Sequence, residues 1–361
     1  MTNTNPIAEA IQNAEKPDEK EYQRSLKLEL INMNDVEMVP IKWLWKSRIA
    51  LGKLSIIAGA PGLGKTQITA ALCAHVTAQK PFPDGFQADL ADVLIISAED
   101  DPQDTIKPRL IAAGANLKRC HFLDGVLVRG EEKNTYRLFD LEQDVKRLEA
   151  TILEWPDLRL IIIDPVSAYQ GKRDSHNNAE IRSLLAPYQK LAAQYGIALV
   201  LITHFNKSSS QEPLERIIGS IGLIAAARAG YAVVKDQEDE HLRYFVPVKN
   251  NIGDDKTGFS YRIEGVTLGN GIETSKIVWG EAPVQASKVL CPEKKTQTNG
   301  AKDFLRELLS SGPMPVSEIM DQAEGVGYNK GTIQRAAQAL GIKKTKLGMK
   351  GGWRWLLEEC A

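Results

Sequence analysis

The sequence lacks the features that mark secreted, membrane-spanning and zinc-binding proteins. No stretch approaches the roughly 18 uninterrupted apolar residues of a membrane helix. The polar N-terminus, Met1 to Lys27, has no apolar signal region. The four cysteines are scattered, without a C-x-x-C pair, so neither a disulfide framework nor a zinc site is indicated: they are Cys73, Cys120, Cys291 and Cys360. We therefore expect a protein of the reducing cytoplasm, without a membrane partner.

An excess of charge of either sign is also missing. The chain has 45 Lys and Arg against 46 Asp and Glu, a formal net charge of −1. This balance excludes a globally polycationic nucleic-acid binder but leaves room for local basic loops. With 43% hydrophobic and 25% charged residues, the composition is that of a globular protein. The length of 361 residues suits a core of roughly 230 to 250 residues and a small appendage.

The stretch with the clearest chemistry is a glycine-rich loop of the form G-x-x-x-x-G-K-[ST], at residues 59–66. An apolar, strand-like run precedes it and an Ala-rich, helix-like segment follows, which is the context that this motif requires. Backbone N–H groups and the helix N-terminus would surround phosphates, Lys65 would reach the β and γ phosphates, and Thr66 would ligate Mg²⁺. The motif therefore predicts ATP and Mg²⁺ as cofactors, with these nucleotide-binding residues: Gly59, Ala60, Pro61, Gly62, Leu63, Gly64, Lys65, Thr66 and Gln67.

Acidic residues follow two predicted buried strands. The run 92–98 ends at Glu99, Asp100 and Asp101, and the run 158–164 ends at Asp164. Because the carboxyl ends of parallel strands line the ligand crevice of such a sheet, we expect Glu99, with Asp100 second, to polarise the attacking water. Asp164 would serve Mg²⁺ and accept a hydrogen bond from Thr66. The alternative is that these carboxylates only cap helices or strand ends, which fits Asp100 and Asp101 better than Glu99.

A third apolar run, residues 196–204, ends at His204. At the end of the strand after Asp164, this side chain would sense the γ-phosphate; a structural core histidine is the alternative. Two polar loops leave the same predicted sheet edge, residues 170–180 with Lys172 and Arg173, and residues 206–215 with Lys207. In a ring of subunits these cations would face the central hole and contact single-stranded DNA. A merely solvated loop is the other interpretation.

Two further cations, Arg228 and Lys249, are candidates for fingers inserted into the nucleotide of a neighbouring subunit. Neutralising transition-state charge in this way is worth about 10³ to 10⁵ in rate. The alternative for each is a surface salt-bridge partner. They lie in or beside a predicted small-residue helix, residues 219–229, and two strands joined by an acidic hairpin turn, residues 236–240.

The predicted organisation is an N-terminal arm at 1–38, an α/β core at 39–280, a linker at 281–300 and a small domain at 301–361. Within the last, three amphipathic helices and a basic hairpin follow the winged-helix plan. Its cations are Lys330 and Arg335 on the presumptive recognition helix and Lys343, Lys344, Lys346 and Lys350 in the wing. Binding of duplex DNA and binding of a protein partner both remain open.

Several short motifs together resemble the AAA-type, RecA-like ATPases of the plasmid RepA hexameric replicative helicase family, found in plasmids, phages and prophages. Beside the glycine-rich loop, the matching motifs are Trp43-Leu44-Trp45, Ser97-Ala98-Glu99-Asp100-Asp101-Pro102, Ile163-Asp164-Pro165, Thr203-His204 and Lys249-Asn250-Asn251. The resemblance covers about residues 39–265. It implies a RecA-like P-loop core in a homohexameric ring that hydrolyses ATP at subunit interfaces and moves along single-stranded DNA.

By the family pattern, Lys65 and Thr66 bind phosphate and Mg²⁺, Glu99 activates water, and Asp164 serves the metal. His204 is then the sensor and Arg228 the arginine finger. The C-terminal segment departs from the compact plasmid helicases, which lack it, and resembles an appendage of phage and prophage members. That departure leaves a helicase loader, an ATP-switched DNA-binding regulator and a recombinase-like ATPase as alternatives.

Overall fold

The protein is described from a computed structural model, in which the described residues are 30–129, 134–171, 178–204, 221–269, 271–291, 297–310, 312–346 and 352–357. The chain divides into two units, residues 1–41 and residues 42–361. In the first unit, the described residues form one 3₁₀ turn, Met33–Asp35, where the side chain of Asn32 accepts a hydrogen bond from the backbone N–H of Asn34. The predicted N-terminal arm otherwise lies outside the described residues.

The second unit contains the strands and helices that we number in chain order. The strands are β1 (Trp43–Trp45), β2 (Ile49–Ala50), β3 (Leu54–Gly59), β4 (Asp92–Ser97), β5 (Cys120–Phe122), β6 (Val126–Val128), β7 (Thr135–Arg137), β8 (Leu158–Asp164), β9 (Ala198–His204), β10 (Ala229–Lys235), β11 (Leu242–Asn250), β12 (Thr257–Thr267), β13 (Glu273–Gln285), β14 (Met314–Pro315), β15 (Lys343–Lys346) and β16 (Trp353–Leu356). The α-helices are α1 (Lys65–Thr77), α2 (Lys107–Ala113), α3 (Val145–Glu154), α4 (Asn178–Tyr195), α5 (Ile221–Ala226), α6 (Ala286–Leu290), α7 (Gln297–Leu309), α8 (Val316–Gly325) and α9 (Lys330–Ala339). A π-helical turn, Pro102–Ile106, precedes α2.

A nine-stranded sheet organises the core, in the order β13-β12-β11-β10-β3-β9-β8-β4-β5. The strands from β10 to β5 in this order are parallel, and β11, β12 and β13 are added antiparallel at one side. Strand β9 lies between β3, which enters the glycine-rich loop, and β8, which ends at Asp164. The predicted fold class, an α/β core with a parallel central sheet, is confirmed.

The parallel strands are apolar on both sides because both faces of the sheet are covered. Side chains alternate along β3, so Ile57 packs with Leu72 of α1 on one face, whereas Leu54 and Ile56 pack with Leu184 of α4 on the other. All five side chains are buried. This double coverage fixes the sheet rigidly and leaves its edges for chemistry.

Trp45 is a core residue, as the sequence favours over adenine stacking. It has no exposed surface, and its ring stacks on Phe82 with centroids 4.5 Å apart. Its indole N–H donates to the Asp84 carboxylate at 2.9 Å, which satisfies the polar atom that burial would otherwise leave unpaired.

The predicted linker at 281–300 is partly wrong. Strand β13 continues to Gln285, and α6 follows directly, with Ala286 and Leu290 buried against Val234 of β10 and Val246 of β11. Hydrophobic periodicity is lost here because the last part of β13 is mostly exposed, so few of its side chains have to be apolar.

The C-terminal region, residues 297–357, has its own small core around Leu305, Ile319, Ile333 and Trp355. The predicted three helices are present as α7, α8 and α9, and β15 pairs antiparallel with β16, which also pairs with β14. No helix among the residues described is long and apolar enough to cross a membrane.

Candidate nucleotide site and basic cleft

The carboxyl ends of the central strands meet at one edge of the sheet. Gly59 at the end of β3 pairs with His204 at the end of β9, and Ser97 at the end of β4 pairs with Asp164 at the end of β8. Side chains that follow these strands must therefore converge. They line one cleft of about 330 Å³, which contains all five predicted catalytic and metal-binding residues of this edge: Lys65, Thr66, Glu99, Asp164 and His204.

Two glycines of the loop have backbone conformations that other residues rarely adopt. Gly62 has φ +76° and Gly64 has φ +88°. A Cβ atom on Gly64 would also lie 2.6 Å from Cδ1 of Ile263 in β12. The sequence signature is therefore used as predicted, because only glycine lets the loop turn back so tightly into the first residue of α1.

Thr66 donates its hydroxyl to Asp164, with Oγ1 3.0 Å from Oδ2. Asp164 is only 6% exposed. Burial raises the pKa of this carboxyl from 3.8 to about 6, with a smaller contribution from the neighbouring Asp100 carboxylate, although the hydrogen bond from Thr66 acts in the opposite direction. The ionised carboxylate is thus costly in the protein alone, and a cation beside it would stabilise it.

Lys65 is folded back against its own loop. Its ammonium donates to the carbonyls of Gly59 at 2.9 Å and Ala60 at 3.0 Å, and Nζ lies 3.1 Å from Nδ1 of His204. Burial lowers the pKa of Lys65, and the carboxylates of Asp164 and Glu99 partly oppose this. Incoming phosphate oxygens would replace the carbonyl partners with stronger, charged ones.

His204 connects this lysine to Glu99, because its Nε2 lies 3.6 Å from Glu99 Oε1. Glu99 is largely exposed in the cleft, as a water-activating group must be. The helix-capping alternative applies to its neighbours: Asp101 accepts hydrogen bonds from the backbone at the start of the π-helical turn, and Asp100 pairs with Arg109 at 2.8 Å.

The residues of this edge fit a magnesium ion bound together with phosphates. Thr66 and Asp164 supply oxygen ligands, which Mg²⁺ prefers, and the ion ordinarily takes only one or two protein ligands beside phosphate and water. Ser97 Oγ, opposite Asp164 in the sheet, is buried without a hydrogen-bond partner. In the part of the chain that is described, no group of three or more His, Cys, Asp or Glu side chains could hold a metal by itself.

Comparison with known proteins decides the family. A family model described as an AAA domain matches residues 20–210, just over half of the chain. The chain belongs to the AAA domain family. No curated protein matches it. Among solved structures, the chain is similar to the ATPase domain of G40P, with a TM-score of 0.42 and 13% identity over 60% of this chain and 82% of that chain; this similarity is too low to argue from.

Membership of the AAA domain family and the nucleotide cleft together support an ATPase. The predicted finger residues of this AAA domain protein lie elsewhere, at the opposite edge of the sheet. The backbone N–H of Arg228 donates to the carbonyl of Leu54, at the start of β3, at 3.0 Å. At about 3.3 Å per residue, the length of β3 separates this point from the end of the strand by roughly 16 Å.

Arg228 and Lys249 have different surroundings at that edge. Arg228 is exposed. The Lys249 ammonium instead donates to the carbonyls of Ile224 at 3.1 Å, Ala225 at 3.1 Å and Ala227 at 2.8 Å. Its pKa is lowered by burial first, and then by the nearby charges of Arg228 and Arg182. Lys249 thus caps the end of α5 and holds the segment that leads into Arg228.

A cleft of about 740 Å³ surrounds these residues, and we call it the basic cleft. No carboxylate occurs among its lining residues in the described part of the chain, and five of them are cations: Lys53, Arg182, Lys190, Arg228 and Lys249. Sequence reasoning missed Arg182 and Lys190. Their separation of two helical turns on α4 was the available signal, since it places both on one face.

Sequence reasoning also missed how β12 and β13 support the nucleotide loop. Tyr261 donates its hydroxyl to the carbonyl of Leu63 at 2.7 Å, and the Gln67 side-chain amide donates to Ser275 Oγ at 2.7 Å. No local pattern marks such contacts between distant parts of the chain. The predicted DNA-contacting residues Lys172, Arg173 and Lys207 lie outside the described residues.

Proposed function

We propose that this protein is an ATP-driven DNA motor of the RepA-like hexameric helicase type, with ATP hydrolysed between neighbouring subunits of a ring. The observation that supports this most is the placement of the phosphate loop and the basic cleft at opposite edges of one sheet. Head-to-tail contacts between identical subunits join two different surfaces and close into rings. The edge with Arg228 would then face the nucleotide of the next subunit.

The residues of the nucleotide edge have separate roles in this proposal. Lys65 and the loop N–H groups bind the phosphates, Thr66 and Asp164 hold Mg²⁺, and Glu99 orients and deprotonates the attacking water. Mg²⁺, when bound, bridges the β and γ phosphates and neutralises their charge. Arg228 of the neighbouring subunit adds positive charge in the transition state, and Lys249 positions it.

Coupling to DNA would pass through His204. Its two ring nitrogens lie near Lys65 and Glu99, so a bound γ-phosphate changes its surroundings directly. Residues 205–220 follow it in the chain, and residues 172–177 follow β8 after a 3₁₀ turn, Val166–Tyr169. We propose that these two segments contact single-stranded DNA through Lys172, Arg173 and Lys207, and that small shifts of the strand ends change their position.

An ATP-switched regulator of duplex DNA, or a helicase loader, is the second candidate. The basic hairpin β15–β16 and α9 favour it, because they form a cationic surface separate from the ATPase residues. Strand displacement on forked DNA separates the two: the motor proposal expects ATP-dependent displacement, whereas the regulator proposal expects none.

The hydrolysis of ATP is tested by steady-state phosphate release with and without single-stranded DNA. Lys65→Ala should lose nearly all turnover because the buried phosphate-binding cation is gone, and wild-type release should require Mg²⁺. Lys118→Ala, which removes an exposed lysine away from both clefts, is the matched control and should hydrolyse ATP normally. Wild-type turnover in Lys65→Ala would exclude this site.

In the same assay, His204→Ala should still bind nucleotide but should lose the stimulation of hydrolysis by single-stranded DNA. Full stimulation in this variant would make His204 a structural histidine. The coupling route through the end of β9 would then be wrong.

A further inference from the structure

The C-terminal region has a strongly uneven distribution of charge. Between Gly325 and Leu357 the sequence has seven Lys or Arg residues and no Asp or Glu. The acidic residues that precede this stretch in the region lie on α7 and α8: Asp303, Glu307, Glu318, Asp321 and Glu324. One side of this small unit is therefore positive although the whole chain is close to neutral.

Helix α9 has one buried and one polar face. Ile333, Ala336 and Ala337 are buried against the rest of the region, whereas Gln334 and Arg335 are exposed. Asn329 caps the helix by accepting a hydrogen bond from the Thr332 N–H at 2.9 Å. Together with α8, which ends at Gly325, it forms a helix-turn-helix pair whose second helix presents amide and guanidinium groups outward.

Beside this polar face lies a groove of about 760 Å³ between α8, α9 and the β15–β16 hairpin, which we call the C-terminal groove. Its described lining includes the cations Lys330, Lys344 and Arg354 and no carboxylate. The indole of Trp353 also lines it and is 54% exposed, while Trp355, two residues on, is buried in the small core. The groove thus combines three positive charges with an exposed flat aromatic surface.

We infer that the C-terminal groove seats one strand of the sugar–phosphate backbone of duplex DNA while the polar face of α9 enters the adjoining major groove. Lys330, Lys344 and Arg354 contact phosphates, and Trp353 packs against the sugars. Gln334 and Arg335 face the base edges, where amides pair with adenine and guanidinium groups with guanine. This site lies outside the ATPase machinery and is a second, separate DNA contact.

Two features favour duplex DNA over a protein or a single strand. A groove with cations and no carboxylate complements a polyanion, and a protein partner of mixed charge would leave those cations unpaired. A ten-residue helix is about 15 Å long, and its exposed polar face suits a major groove about 12 Å wide. The backbone groove lies directly beside that face because Lys330 and Gln334 belong to both.

The test is the binding of the full-length protein, without nucleotide, to a labelled duplex and to its separated strand across a salt series. Lys344→Ala combined with Arg354→Ala should weaken duplex binding at least tenfold and reduce the salt slope by about 1.8, since each lost phosphate contact removes about 0.9. The control, Lys302→Ala with Arg306→Ala, removes two cations of α7 that do not line the groove, and should bind like the wild type.

Three outcomes would overturn the inference: normal duplex binding by the Lys344→Ala, Arg354→Ala variant, binding of the wild type to single strands alone, or binding to neither DNA. Loss of duplex binding in Lys65→Ala would also overturn it, because the contact would then depend on the ATPase site. Unchanged thermal unfolding of the groove variant shows that a loss of binding is not a loss of folding. Gln334→Ala should alter the preference among duplex sequences while leaving the salt slope unchanged.

Discussion

Asp164 and Lys65 are buried charges that the protein alone does not fully stabilise. Each is 6% exposed, and burial is the largest cause of both shifts, raising the pKa of Asp164 and lowering the pKa of Lys65. Both shifts favour the neutral forms. A bound magnesium nucleotide supplies the opposite charges, so ligand binding should stabilise the fold as well as prepare the reaction.

The carboxyl of Asp164 predicts a pH-dependent stability. Its pKa is about 6 in the folded protein against 3.8 as the reference, so the folded state binds the proton more tightly and the free energy of unfolding falls as pH rises from about 4 to 6. Asp164→Asn lacks this penalty. Without nucleotide, it should be more stable than the wild type above pH 6 by up to about 3 kcal/mol, at about 1.4 kcal/mol per pKa unit.

Urea denaturation of both proteins near pH 5 and near pH 8 measures this difference. The advantage of Asp164→Asn should shrink toward the lower pH, and its Mg²⁺-dependent hydrolysis should be lost at both. An advantage of the same size at both pH values would show that the pKa of Asp164 is not raised.

At the scale of elements, Lys249 joins β11 to the end of α5. Lys249→Met removes three hydrogen bonds to backbone carbonyls and should cost about 1 to 3 kcal/mol of stability. Because α5 leads into Arg228, the variant should lower the turnover number of the assembled protein more than its affinity for ATP. The control is Lys235→Met, at the exposed end of β10. Equal turnover of Lys249→Met and the wild type would contradict a positioning role.

The elements also show what the sequence can predict. Strands β3, β4, β8 and β9 were predictable because a parallel strand covered on both faces is a continuous apolar run, and the polar residues after them then fall at one edge. Strand β13 was assigned in part to a linker because its exposed positions break the pattern. The contact of Tyr261 with the loop at Leu63 joins residues 198 positions apart, and local periodicity contains no information about such pairs.

For Arg228, the sequence alone left a finger and a surface salt bridge open. The structure adds that this exposed arginine lies in the basic cleft, at the sheet edge away from the phosphate loop. For the whole molecule, a complete active site then requires two copies of the chain. Head-to-tail assembly is the arrangement that brings the two edges together.

Mixing two inactive variants tests this shared active site most directly. Arg228→Ala keeps an intact phosphate loop, and Lys65→Ala keeps an intact basic cleft, so each alone should hydrolyse ATP slowly. In an equal mixture that assembles at random, about a quarter of the head-to-tail interfaces combine both intact partners, and phosphate release should rise toward that fraction of wild-type activity. If the mixture is no more active than the variants measured separately, or if Arg228→Ala is fully active as a dilute monomer, hydrolysis does not occur between subunits.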